Sequence, residues 1–199
     1  MVVNRNFKKM EKAKKYELTK EFKVVGSTKV FRIKALRDFG NVKKGDIGGW
    51  IEKEENLSQE GNAWVSDNVL IFDDAQISGN VLIFDDVRIS DNAQICGDAQ
   101  ISGDAQIFGD ALICGNVQIF GKSRISGDAR ISKTPLQIQG SKHFVNMNGD
   151  LLQIGCQLYS IPSWKEHFER IGKAEKYTKE EIKEYKLYID LAEKLMDLN

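Results

Sequence analysis

Hydrophobic positions in the middle of the chain recur with a period of six. Isoleucine or valine stands at Val65, Ile71, Ile77, Ile83, Ile89, Ile95, Ile101, Ile107, Ile113, Ile119, Ile125 and Ile131 without a gap. Four residues after each comes a smaller one: Val69, Ala75, Val81, Val87, Ala93, Ala99, Ala105, Ala111, Val117, Ser123, Ala129 and Pro135. Between them lies a polar pair, Gly or Asp followed mostly by Asp or Asn, as in Gly79-Asn80 and Gly97-Asp98. Alternation along an extended strand sends the aliphatic and small residues inward. The pair supplies residues that tolerate left-handed dihedrals at a corner. Six-residue sides with corners between them predict a β-solenoid. Extending the frame backwards puts Ile51, Leu57 and Ala63 at the small-residue position, so that residues 47–136 make fifteen hexads, or five triangular coils of eighteen residues. A rival reading is a flat coil of twelve, suggested by the near copies VLIFDDAQISGN (69–80) and VLIFDDVRISDN (81–92). Three sides are preferred because a row of isoleucines needs the width of a prism to pack at native density.

The flanks read differently. Tyr16–Val25 and Lys29–Phe39 alternate apolar and polar around Gly26-Ser27-Thr28, which predicts a hairpin over the first coil. Phe144–Met147 and Leu151–Gly155 flank Asn148-Gly149, a short hairpin signal. Two helices follow, with capping boxes at Ser163/Glu166 and Thr178/Glu181. Their apolar faces are Trp164, Phe168 and Ile171 on one and Ile182, Tyr185, Ile189, Ala192 and Leu195/Met196 on the other, expected to cover the last coil or a partner chain. The chain therefore divides into a basic tail and hairpin cap (1–46), a repeat (47–136) and a hairpin with two helices (137–199).

These residues resemble the hexapeptide-repeat, left-handed β-helix families, an all-β solenoid whose consensus is an aliphatic residue followed four later by a small one. The likeness holds over 72 consecutive residues. The flanking segments FRIKALRDFG (31–40), GDIGGWI (45–51), EENLS (54–58) and GNAW (61–64), with IGC (154–156), Trp164 and YTKEEI (177–182), look like those of small phage- and prophage-encoded members. That resemblance implies a fold and a mobile-element origin, with no settled activity.

Charge refines the picture. The chain has 29 Lys+Arg against 29 Asp+Glu, which gives no hint of a nucleic-acid or membrane partner. The zero is a cancellation: residues 1–53 hold 15 basic and 6 acidic side chains (+9), 54–136 hold 5 and 13 (−8), and 137–199 hold 9 and 10 (−1). The acid lies mostly at corners, where turn geometry explains it, so no metal is expected. Without an apolar segment to serve as a signal or a span, the expected location is the cytoplasm. Cys96, Cys114 and Cys156 show no metal spacing and read as free thiols.

Hexapeptide β-helices are best known as acyltransferases that use a histidine base and an acyl-coenzyme A. This chain departs from them, since residues 1–142 contain no histidine and only His143 and His167 remain. No nucleophile with an oriented base is evident, so no catalytic residue and no cofactor is expected. Sorted by eighteen, the outward residues form three faces. One carries Leu70/Phe72, Arg88/Ser90, Gln106/Phe108 and Arg124/Ser126; a second carries Trp64/Ser66, Leu82/Phe84, Gln100/Ser102 and Gln118/Phe120; the third has no aromatic residue. Exposed aromatic rows predict contact between copies through Trp64, Phe72, Phe84, Phe108 and Phe120, in a trimer first and a dimer second. Phe72 and Phe108 beside Arg88 and Arg124 would suit a base and a phosphate in an intersubunit groove. The leading functional expectation is a non-enzymatic phage or prophage binding protein that blunts a host defence by sequestering a nucleotide signal or a host protein. The alternatives are a structural assembly solenoid and a hexapeptide-type acyltransferase.

Overall fold

A computed structural model describes residues 13–196, so most of the basic tail lies outside the described residues. Strands β1 (Tyr16–Val25) and β2 (Thr28–Ala35) form the expected hairpin, and β2 pairs antiparallel with β3 (Ile47–Ile51). Twelve two-residue strands follow at six-residue intervals, β4 to β15, from Trp64–Val65 to Arg130–Ile131. From β4 to β12 each pairs in parallel with the strand three further on, as in Gln100↔Gln118 and Ile101↔Ile119. Strands eighteen residues apart therefore stack, and the twelve-residue coil is excluded.

The stacking makes three sheets. One is seven-stranded, in the order β1-β2-β3-β5-β8-β11-β14; the other two are β4-β7-β10-β13 and β6-β9-β12-β15. Inside, the aliphatic and small columns are almost fully shielded from Ile51 to Ile125. Each isoleucine placed there contributes roughly 2–3 kcal/mol of transfer free energy. At every corner from Gly61 to Gly127 the first residue of the polar pair has positive φ, whether Gly or one of Asp67, Asp73, Asp85 and Asp91. Asp85 and Asp91 also reach the next coil, where Oδ2 accepts from the Gly103 amide at 2.9 Å and from the Gly109 amide at 2.8 Å. The second residue of the pair builds ladders along the edge, Asn62 to Asn80 (3.0 Å) and Asn80 to Asp98 (2.9 Å).

The first coil corrects the backward extension of the frame. Ile51 and Leu57 occupy the aliphatic position, paired with Ile71 and Ile77 twenty residues on. The two extra residues fall at Gln59-Glu60, and they receive the cap. Gln59 Oε1 accepts from the Lys15 amide at 2.8 Å, Lys15 Nζ donates to the Glu60 and Ala63 carbonyls (3.3 and 2.9 Å), and the Tyr16 hydroxyl donates to the Leu57 carbonyl at 2.6 Å. Lys15 is wholly buried, and that burial, followed by the charge of Arg37, lowers its pKa to about 8.

The cysteine expectation is corrected too. Cys96 and Cys114 stand at the same outward position of adjacent coils, with Cα atoms 4.6 Å apart, and form a disulfide; Cys156 is free and exposed. Neighbouring parallel strands lie at that separation everywhere in the repeat, so any two cysteines eighteen apart on an outward column are within bonding reach.

Beyond the repeat, β16 (Gln137–Gln139), β17 (Phe144–Asn148), β18 (Leu151–Ile154) and β19 (Gln157–Ser160) form a four-stranded antiparallel sheet, two strands wider than the expected hairpin. Helices α1 (Ile161–Ala174) and α2 (Lys179–Met196) pack on this sheet instead of directly on the last coil. Their core joins Val145, Leu152 and Ile154 to Trp164, Phe168, Tyr185 and Ile189. The N-cap of α1 is Ser160, whose side chain accepts from Ser163, because Pro162 already sits in the first turn. The Thr178/Glu181 box is present in both directions, at 2.7 and 3.1 Å.

Candidate functional site

The sheet meets the open end of the solenoid through side-chain amides. Gln137 Oε1 accepts from the Phe120 amide at 2.8 Å while its Nε2 donates to the Gln118 carbonyl at 2.9 Å. Gln153 Oε1 accepts from the Arg124 amide at 2.7 Å. These groups replace, at β13 and β14, the ladder that a further coil would have supplied, and so cover those two edges. Phe144 adds an edge contact to Phe120, with ring centroids 6.2 Å apart.

Closure leaves a cleft of about 470 Å³ beside the junction. Asp104, Gln106, Lys122 and Arg124 line it from the solenoid, and Gln139, Lys142, His143, Gln153 and Cys156 from the sheet. The Arg124 guanidinium lies over the Phe108 ring, 4.9 Å from its centroid. Lys142 Nζ donates to the Glu175 carbonyl at 2.9 Å and lies 4.5 Å from the Tyr177 ring centroid. Among the described residues none of these three cations has a carboxylate ion-pair partner. Three cations against Asp104 alone make the cleft suited to an anion.

His143 is held by its backbone. The Tyr185 hydroxyl accepts from the Lys142 and His143 amides and donates to the His143 carbonyl at 2.9 Å. Its imidazole lies against Tyr177, centroids 5.5 Å apart, and among the described residues no carboxylate orients it. His167, on α1, lies 3.8 Å from Glu166 and outside the cleft.

The face assignment from the sequence is borne out strand by strand. Of the four groove residues, Phe108 and Arg124 meet, and Arg124 alone lines the cleft. Phe72 and Arg88 sit farther down the same sheet, where Phe72 packs beside Trp50, Val30 and Leu70. Trp64 is not free for a partner: it is 5% exposed, against the rings of Tyr16 and Phe39 at 6.5 and 5.5 Å. Phe84 and Phe120 do remain open, at 38% and 45%. The sequence reading missed Lys122, Lys142, Gln153 and Cys156 as one group, because they come from two sheets whose docking no local period encodes.

Coils, corners and caps together define a β-solenoid protein of about five coils. The family described as the YdcK beta solenoid repeat matches residues 75–91. The chain is also similar to the uncharacterized acetyltransferase YdcK of Escherichia coli (strain K12), 48% identical over 42 residues. That stretch covers 21% of this chain and 13% of the relative.

Proposed function

We propose that the protein is a non-catalytic binding solenoid that captures an anionic, nucleotide-like ligand in the cleft between the last coils and the C-terminal sheet. The observation that carries this reading is the group of Lys122, Arg124 and Lys142, without carboxylate ion-pair partners among the described residues, with Arg124 over Phe108. A guanidinium fork suits a phosphate, and the amides of Gln106 and Gln139 offer donors and acceptors to a base or sugar. Sequestration of a host signal by a phage-encoded protein is the narrowest form of the reading and rests on the resemblance of the flanking segments. Calorimetry against cyclic nucleotides and ADP-ribose derivatives tests it. Binding weakened about tenfold or more by Arg124→Ala is expected, the loss of a charge-assisted contact; no binding across the panel overturns it.

A second reading is acyl transfer, favoured by the name of the Escherichia coli relative and by His143 in the same cleft. Acetyl-coenzyme A turnover that disappears in His143→Ala would establish this reading in place of the first. For assembly, we propose a homotrimer, with a dimer second, in which the open rings of Phe84 and Phe120 meet another copy. Light scattering coupled to size exclusion that shows a monomer removes that proposal.

A further inference from the structure

The outer face of the seven-stranded sheet holds a second cationic group toward its hairpin end, reaching along the row to Arg88, the register partner of Gln106 in the cleft wall. Arg32 and Trp50 are register partners across β2 and β3, and Trp50↔Leu70 and Leu70↔Arg88 carry the same row on to Arg88. Lys23 Nζ and Arg32 Cζ each lie 4.4 Å from the Trp50 ring centroid. Two positive side chains, Lys23 and Arg32, thus lie over one indole; Arg88, two strands further along the row, acts on Lys23 by its charge, as does Asp86 with the opposite sign. Burial first, then the charges of Arg32 and Arg88, hold the Lys23 pKa below the usual lysine range.

Hydrogen bonding in the group is incomplete. Arg32 Nη1 donates to the carbonyls of Gly48 (3.0 Å) and Asp67 (2.6 Å). Arg32 Nε and Trp50 Nε1, by contrast, are buried donors without an acceptor among the described residues, on a tryptophan only 8% exposed. An unsatisfied buried N–H costs about 1–3 kcal/mol. Two of them on cross-strand neighbours, within an excess of positive charge, call for an acceptor that is itself negative. A water would satisfy the donors and leave the charge excess in place.

We propose that the junction of hairpin and solenoid is an oxyanion site, built for a phosphate-type group. Trp50 Nε1 and Arg32 Nε donate to its oxygens, while Lys23 and Arg88 balance its charge. Lys23 covers the ring and is the member that turns aside on binding, since a lysine side chain reorients on the picosecond to nanosecond scale. The site does not depend on the cleft reading.

The test uses the uniformly ¹⁵N-labelled full chain and inorganic phosphate. The three tryptophans give three indole N–H signals, and Trp50→Phe identifies the relevant one. Phosphate should move the Trp50 signal saturably and leave those of Trp64 and Trp164 in place. Arg88→Gln and Lys23→Gln, both at the surface, should each weaken the response about tenfold, whereas Lys122→Gln in the cleft should not change it. A Trp50 signal that stays fixed, as for a buried water, overturns the proposal. So does one that moves equally with chloride at matched ionic strength, or one unaffected by both surface variants.

Discussion

Lys15 carries its ammonium into the first coil, where it lies 5.2 Å from the Phe39 ring centroid and donates to two carbonyls. With a pKa of about 8 in the folded chain against the ordinary lysine value of 10.5, the folded state binds fewer protons than the unfolded state between those pH values. Stability therefore rises with pH across that window, the opposite of an ion-paired lysine. In Lys15→Met this rise should be absent, so the melting temperature of the parent relative to the variant should climb from pH 8 to 10.5. A flat difference across that range would refute the burial of a titrating ammonium. The corner residues make a second point at this scale. Gly97 has φ +82°, and a Cβ there would meet the Gly115 amide nitrogen at 2.6 Å. Gly97→Ala should cost about 1–2 kcal/mol from the dihedral alone and more from the contact, read as a lower denaturant midpoint.

Among the elements, the strand β16 does the work of a missing coil. Removing the Gln137 amide leaves the exposed Phe120 amide and Gln118 carbonyl to water, with a net cost of about 0.5–1.5 kcal/mol for each. Gln137→Leu should accordingly speed hydrogen exchange at Phe120 while the Arg124 amide, held by Gln153, and the amides of the first coils keep their protection. Uniform loosening along the chain would show instead that the coils melt as one unit. The repeat was legible because one period fixes both which side chains point inward and which outward columns stack. The Gln59-Glu60 insertion was not: Ile51 and Leu57 keep the six-residue spacing on their own, and nothing local marks the shift that follows. Nor did the spacing of Cys96 and Cys114 separate a bonded from an unbonded pair, since stacking brings either into the same position. The cleft was half legible. Phe108 and Arg124 follow from the period, whereas Lys142 and His143 depend on how Tyr185 of α2 holds the loop before β17.

At the scale of the whole molecule the basic beginning and acidic middle are fastened to each other. Lys14 reaches Glu54 at 2.6 Å and Lys53 reaches Asp74 at 2.7 Å, both exposed pairs of small individual worth. Cohesion comes from stacking, which is a nearest-neighbour property. Deleting residues 74–91 removes one turn, joins Asp73 to Asn92 and leaves every later column on its own face. That shortened chain should fold with one cooperative transition and keep its ligand response in the C-terminal cleft. Deleting 83–91 instead turns the inward columns out of phase and should abolish cooperative melting.

The bond between Cys96 and Cys114 has a mechanical consequence. A solenoid pulled from its two ends peels coil by coil, each releasing its contour into the extended chain. Cysteines eighteen residues apart enclose one full turn, so under tension that turn is bypassed and about 60 Å of chain stays hidden. Under reducing conditions, single-molecule stretching should recover that length.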